Sequence, residues 1–201
     1  EVLESDYDVI MVDFRGHGLS DAPETGYDLT TSAQDIYGII QVLDLQKPVI
    51  FGHSLGAIAA LAFAGLYPDI PKAILLEDPG PWWMPFTDTP EALAERAQGM
   101  RDSIISNKSK TREQLLEENH QEVSHWSETE QRYWAESKHH TSPNVANWFK
   151  PSIETRLDWS SLLSNITFPA LLITGDPEKG VLTTPAAADQ LQEGYVPHLQ
   201  I

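Results

Sequence analysis

A serine bracketed by two glycines carries most of the chemistry that this sequence suggests. The stretch Gly52-His53-Ser54-Leu55-Gly56 has the form G-x-S-x-G, with an apolar run before it and a series of small and apolar residues after it. A sharp turn from a strand into a helix strains the central residue and leaves no room for side chains two positions away, which explains both glycines. The pattern predicts Ser54 as a nucleophile and the Leu55 N–H, at the helix start, as an oxyanion donor. A packing turn is the alternative.

The elements around this turn alternate in type. Residues 7–13, 49–52, 72–80 and 168–176 are short and mostly apolar, which is typical of strands, whereas residues 30–46 and 54–67 have the pattern of helices. Strands and helices that alternate along the chain indicate a mostly parallel sheet with helices on both faces. Residues 196–201 are interpreted as the beginning of a further strand.

Between residues 81 and 159 the strand pattern is absent. Three helix starts occur there: one has a proline at its first position, Pro90, one lies at Thr111, and one has a Ser127/Glu130 capping box. We therefore expect an all-helical region at 81–159, inserted between two parts of the sheet domain at 1–80 and 160–201; the family resemblance given next identifies that region as a cap.

Four stretches, in this order, resemble the α/β-hydrolase family, in its serine-nucleophile branch with a helical cap. They are VDFRGHGLSD (12–21), VIFGHSLG (49–56), LEDPG (76–80) and FPALLITGDPEKG (168–180). The resemblance covers nearly the whole chain. It implies the α/β-hydrolase fold, an acyl-enzyme mechanism without metal or cofactor, and catalytic residues in the order serine, acid, histidine. It also implies a loop-shaping role for His17.

The resemblance places the acid after the family's seventh strand. Asp176 is favoured because it lies near the strand end and is followed by a turn-forming proline. Glu178 lies three residues after Gly175, and many members of the family carry their acid at that spacing from the glycine. Glu77 and Asp78, at the end of the preceding strand, are the further alternatives, since some relatives carry their acid there.

The histidine should follow the family's eighth strand, and His198 precedes that position. His120, His125, His139 and His140 lie in the expected cap, and the adjacent pair has no further ligand at metal-binding spacing. We expect the chain to be a fragment that lacks the first strands and the histidine segment of the family.

Composition limits the function classes. The formal charge of −17 argues against nucleic acid and anionic membrane surfaces as partners. The sequence contains no cysteine, which excludes disulfides and fits a cytoplasmic location. No apolar run reaches the roughly 18 residues of a membrane span.

The tryptophans suggest the kind of substrate. All six lie between positions 82 and 159, and Trp82 and Trp83 follow the strand that ends near the expected site. They could line an apolar pocket, or join the cap to the core. We expect hydrolysis of a small-to-medium hydrophobic ester or lactone. The alternatives are hydrolysis of a C–C bond in a diketone and a non-catalytic ligand-binding protein, and the oligomeric state stays open.

Overall fold

The computed structural model describes residues 3–84, 88–150 and 157–201. The chain forms two compact units, one made of Glu1–Tyr27 and Thr89–Lys150 and the other of Asp28–Asp88 and Pro151–Ile201. We call the first the helical unit and the second the sheet unit. The expected boundaries at 1–80, 81–159 and 160–201 follow the family's scheme and stay a prediction.

In the described residues of the sheet unit there are three parallel strands. They are β1 (Val49–His53), β2 (Ala73–Glu77) and β3 (Ala170–Ile173), in the spatial order β1-β2-β3. Gln200 continues the pairing beyond β3, because its N–H donates to the Ala170 carbonyl at 3.0 Å and its carbonyl accepts from Leu172 at 2.7 Å. The predicted α/β class with a parallel sheet is confirmed, and residues 196–201 contribute a single bridge.

In the described residues four α-helices accompany the sheet: α1 (Leu29–Val42), α2 (Leu55–Leu66), α6 (Trp159–Ser164) and α7 (Pro185–Gly194). Helix α2 packs against α1, α6, β1 and β2, and its residues 57–65 are all buried. Small residues make this close approach possible: a Cβ added at Gly65 would lie 2.8 Å from the Leu162 carbonyl oxygen. The Asn165 amide also donates to the Gly65 carbonyl at 3.0 Å. Helix α2 is therefore a fixed core element, and so is the turn at its start.

The helical unit contains α3 (Pro90–Ser109), α4 (Arg112–Glu122), α5 (Glu128–His139) and a 3₁₀ helix over Pro143–Phe149. Each α-helix begins where the sequence predicts. The capping box is confirmed, since the Ser127 hydroxyl accepts from the Glu130 N–H while the Glu130 carboxylate accepts from the Ser127 N–H. Across the described residues of both units, no helix combines the length and the apolar character needed to cross a membrane.

The strand predicted at residues 7–13 is wrong. These residues carry no strand in the structure, and Val9, Met11 and Val12 are exposed. A strand needs a neighbouring strand for its backbone N–H and C=O groups, and the described residues of the helical unit contain none. The following loop is held instead by single hydrogen bonds, such as the one from the Ser142 N–H to the Gly16 carbonyl at 2.7 Å.

Candidate active site

Ser54 lies in the turn between β1 and α2. Its backbone has φ 50° and ψ −116°, a conformation that residues with a side chain rarely adopt. The Ser54 N–H donates to the Glu77 carbonyl at 2.9 Å, which ties the turn to the end of β2. The hydroxyl does not cap the helix that follows. The turn therefore holds a half-buried serine side chain at the carboxyl edge of the sheet in a strained conformation.

Gly52 allows the turn to be this sharp. A Cβ added at Gly52 would lie 2.3 Å from the carbonyl carbon and oxygen of Gly56 and 2.6 Å from the Ala57 nitrogen. All three atoms belong to the backbone, so no rotation of a side chain could relieve the contact. The steric reason that the sequence predicts for this glycine is confirmed.

The start of α2 offers backbone donors next to Ser54. The Ser54 carbonyl accepts from the N–H groups of Ala57 at 3.0 Å and Ile58 at 3.2 Å, so the hydrogen bonds of the helix begin with those donors. The N–H groups of Leu55 and Gly56 precede them, and the first N–H groups of a helix have no acceptor inside it. The positive end of the helix dipole also lies here. This arrangement can stabilise a negative oxygen.

Asp78 leaves β2 beside Ser54. Since His53 and Glu77 are paired in register, the residues that follow them emerge at the same edge of the sheet. The Asp78 carboxylate accepts from the Leu182 N–H at 3.0 and 3.1 Å and from the Thr183 N–H at 2.8 Å. Asp78 thereby fixes the loop that follows β3. Sequence reasoning gave Asp78 only as an alternative acid, and no spacing in the sequence indicates these bonds.

Asp176 is placed differently. It caps the 3₁₀ helix Pro177–Lys179, with its carboxylate accepting from the Glu178 N–H at 3.0 Å. Its side chain is 48% exposed, and the Lys179 ammonium lies 3.8 Å away. Glu178 is exposed in the same short helix, and Glu77 is the half-buried last residue of β2. The candidate acids thus differ in exposure and in how firmly they are held.

Four histidine rings have hydrogen-bond partners outside the candidate site. A ring nitrogen of His198 lies 2.8 Å from the Phe168 carbonyl, and those of His17 and His139 contact the Arg15 and Lys110 carbonyls at 3.2 and 2.9 Å. The fourth, His120, contacts the side chain of Gln131 in the helical unit. None of these four rings is bonded to Ser54 or to a candidate acid. Within the described part of the chain, no group of three or more His, Asp or Glu side chains could hold a metal ion.

The two adjacent tryptophans after β2 differ in burial. Trp82 is 39% exposed, whereas Trp83 is 5% exposed. The indole N–H of Trp83 is fully buried and has no hydrogen-bond partner among the residues that the structure describes. The two adjacent tryptophans thus differ in burial, although the sequence predicted the same role for both. Their contact with substrate stays a prediction.

Known proteins resemble this chain in both sequence and fold. Over 80 residues it is 42% identical to the 2-(acetamidomethylene)succinate hydrolase of Mesorhizobium japonicum. This alignment covers 40% of this chain and 29% of that protein. Over 110 residues it is 32% identical to a putative non-heme chloroperoxidase of Synechocystis. This second alignment covers 53% of this chain and 40% of that protein. These alignments span less than half the length of either curated relative.

Solved structures superpose on most of the chain. The crystal structure of E-2-(acetamidomethylene)succinate hydrolase matches with a TM-score of 0.66 and 25% identity, over 92% of this chain and 68% of that one. An N-formylmaleamic acid deformylase from Pseudomonas putida S16 matches with a TM-score of 0.69 and 21% identity, over 99% of this chain and 74% of that one, which is evidence of fold alone. A family model described as alpha/beta hydrolase fold matches residues 1–200. The chain therefore belongs to the alpha/beta hydrolase family.

Proposed function

We propose that the protein is a serine hydrolase that cleaves an acyl compound through an acyl-enzyme, with Ser54 as the nucleophile. The observation that carries this proposal is the strained backbone of Ser54, at φ 50°, between β1 and the N-terminus of α2. A strand-to-helix turn of this kind is the structural context that gives the G-x-S-x-G pattern its catalytic meaning. Such strain is retained where it serves function, because it costs stability.

The proposed reaction has two halves. Ser54 Oγ attacks the carbonyl carbon of the substrate while a histidine takes its proton, and the resulting oxyanion accepts a hydrogen bond from the Leu55 N–H. The leaving group takes the proton from the histidine as its bond to the acyl carbon breaks. Water then attacks the acyl-enzyme by the same route and releases the acid and free Ser54. In the order of the family this histidine follows the acid, and we do not assign the role to His198, whose ring contacts the Phe168 carbonyl.

Two carboxylates compete for the role of the acid that orients this histidine. Asp176 is the choice from sequence, but it is half exposed and lies 3.8 Å from the Lys179 ammonium. Asp78 emerges beside Ser54 and is held by backbone N–H groups of the loop after β3. An acid that orients an imidazole must itself be fixed and shielded from solvent. These contacts favour Asp78, and we propose it ahead of Asp176.

Two classes of acyl substrate are candidates. A small-to-medium hydrophobic ester or lactone suits the apolar residues that follow β2. An amide is favoured by a different observation, the 42% identity over 80 residues to a protein named 2-(acetamidomethylene)succinate hydrolase. Both reactions use the same nucleophile and oxyanion donor, and they differ in the leaving group that must be protonated. Hydrolysis of a diketone C–C bond by the same residues is the third possibility.

A fluorophosphonate probe tests the nucleophile directly. We expect one adduct per chain by intact mass, mapped to Ser54, and none in Ser54→Ala. Ser164→Ala, which removes a hydroxyl from α6 in the same unit, is the matched control and should label like the parent. The probe is applied to a chain that includes the histidine segment of the family, because Ser54 without its base is a weak nucleophile. Absence of labelling in that chain, or an adduct that persists in Ser54→Ala, would overturn the proposal and favour the ligand-binding alternative.

The acid and the substrate class are tested next. Asp78→Asn and Asp176→Asn are compared by labelling rate, and replacing the true acid should slow the reaction by orders of magnitude, about 10⁴-fold in the best studied triad. A slower Asp176→Asn with an unchanged Asp78→Asn would reverse the assignment. The hydrolysis of 4-nitrophenyl butanoate and 4-nitrobutyranilide, which release related chromophores, distinguishes an esterase from an amidase.

A further inference from the structure

The backbone of Asp78 is held in an uncommon conformation. Its φ is 43°, in the left-handed region that residues with a side chain rarely adopt, as is that of Ser54 at the same edge of the sheet. Such a conformation persists only where the surrounding contacts fix it. The contacts that fix the backbone of Asp78 therefore also decide the direction of its carboxylate.

Hydrogen bonds from β3 and from the loop after it hold Asp78 together with the residue that follows it. The Asp78 N–H donates to the Ile173 carbonyl at the end of β3, at 2.8 Å. The Asp78 carboxylate accepts from the N–H groups of Leu182 and Thr183. The Thr183 hydroxyl donates to the Pro79 carbonyl, and both of these residues are fully buried. Thr183 thus contacts the carboxylate of Asp78 and also the backbone next to it.

The contact of the Thr183 hydroxyl limits rotation at Asp78, because few rotatable bonds separate the two anchored backbone groups. Peptide units are planar, and the ring of Pro79 fixes its own φ. Between the Asp78 N–H and the Pro79 carbonyl, rotation remains only at φ and ψ of Asp78 and at ψ of Pro79. Both ends of this short segment are hydrogen-bonded. Loss of the Thr183 contact therefore allows the backbone of Asp78 to leave its strained conformation and to turn the carboxylate.

We propose that Thr183 is a positioning residue, whose hydroxyl keeps the Asp78 carboxylate aimed at the histidine that activates Ser54. This inference rests on the proposed function, since it takes Asp78 as the acid. The Leu182 N–H is shared between the two carboxylate oxygens, and the Thr183 N–H donates to Oδ1. A carboxylate has about four acceptor positions, so these bonds leave capacity for an imidazole N–H.

The test measures the rate at which a fluorophosphonate labels Ser54, in the chain that includes the histidine segment and in samples shown to be folded by circular dichroism. Thr183→Val removes the hydroxyl and keeps the branched shape of the side chain, whereas Thr183→Ser keeps the hydroxyl. Thr184→Val is the matched control, because it removes the neighbouring hydroxyl, which accepts from the Ala187 N–H at the start of α7. If Thr183→Val does not fold, Thr183→Cys replaces it, since the S–H group is a weaker donor.

Each variant is also made in an Asp78→Asn background. A residue that acts through the Asp78 carboxylate loses its effect when that carboxylate is absent, whereas a residue that supports the fold in general keeps its effect. This comparison separates positioning of the acid from a structural role.

We expect Thr183→Val to label about 10- to 100-fold more slowly than the parent, as for a catalytic group displaced by roughly 1 Å. Thr183→Ser and Thr184→Val should label at close to the parent rate, and Thr183→Val should have little effect in the Asp78→Asn background. An unchanged rate in Thr183→Val, or an equal slowing in both backgrounds, overturns the role of Thr183 alone. An unchanged rate in Asp78→Asn overturns the assignment of the acid and, with it, this inference. Absence of Ser54 labelling in every chain overturns the proposed function itself.

Discussion

Replacement of Gly52 by alanine tests the most specific steric feature of the candidate site. The new Cβ would lie 2.3 Å from the carbonyl carbon and oxygen of Gly56, against an ordinary contact of 3.4–4 Å. Because both atoms belong to the first turn of α2, the strand end and the helix start must move apart by about 1 Å. Ser54 lies between them, so the turn and the nucleophile are disturbed together.

The cost can be estimated from this overlap. Overpacking a close-packed region by one methyl group costs about 1–3 kcal/mol where side chains can rearrange. The Gly52 contact is with backbone atoms of a buried helix, so we expect the upper end, about 3 kcal/mol. For a chain of this size, about 3 kcal/mol corresponds to a fall in Tm of roughly 6–12 °C.

The assay is urea unfolding of Gly52→Ala followed by circular dichroism, with amide exchange of the peptide that covers α2 as a local readout. Gly38→Ala is the matched control, because a Cβ at Gly38 in α1 meets nothing within 4 Å. There the helix propensity of alanine should stabilise the protein by about 0.5–1 kcal/mol. The two glycine-to-alanine changes are thus expected to have opposite signs.

A Gly52→Ala variant within about 1 kcal/mol of the parent, with unchanged exchange in α2, would refute this reasoning. It would mean that the turn can open at little cost, and that the backbone of Ser54 is not held by the packing of β1 against α2. Retained labelling of Ser54 by a fluorophosphonate in the same variant would show that the proposed site tolerates that opening. Equal destabilisation by Gly38→Ala would also contradict the steric explanation.

Two further predictions concern other contacts. Asp78→Ala removes the acceptor of the Leu182 and Thr183 N–H groups. We expect the free energy of unfolding, measured in urea, to fall by about 1–3 kcal/mol and the two amides to exchange faster. Unchanged exchange of these amides would contradict the prediction. In α5, hydrogen bonds from the Ser127 hydroxyl and N–H hold the pKa of Glu130 below its ordinary value. The stabilisation that these hydrogen bonds give the folded protein is therefore present above the ordinary pKa of a glutamate carboxyl group. It is lost as the pH falls through the lowered pKa of Glu130. Ser127→Ala should raise the pKa of Glu130 towards its ordinary value in an NMR titration, and an unchanged titration would refute the stated cause.

Local patterns predicted much of the secondary structure. The start of α3 followed from the proline at its first position and that of α5 from its capping box, because both features act within the first turn of a helix. The strand, Ser54 and helix at 49–66 were equally readable, since the steric demand of the turn acts between Gly52 and Gly56. Residues 7–13 show the limit of such patterns: they are as apolar as a strand, yet they form none.

The sequence by itself determined where the nucleophile candidate lies and that a parallel sheet presents it, because both depend on periodicity and on contacts within a few residues. Tertiary structure alone decided that Asp78 binds the loop at Leu182 and Thr183, more than a hundred residues later in the chain. It also decided that Trp83 is buried, with an N–H that has no partner in the described part of the chain, while the adjacent Trp82 is exposed. Burial and hydrogen bonding between distant segments depend on how the strands and helices pack. The local sequence does not predict them, even for two adjacent residues of the same type.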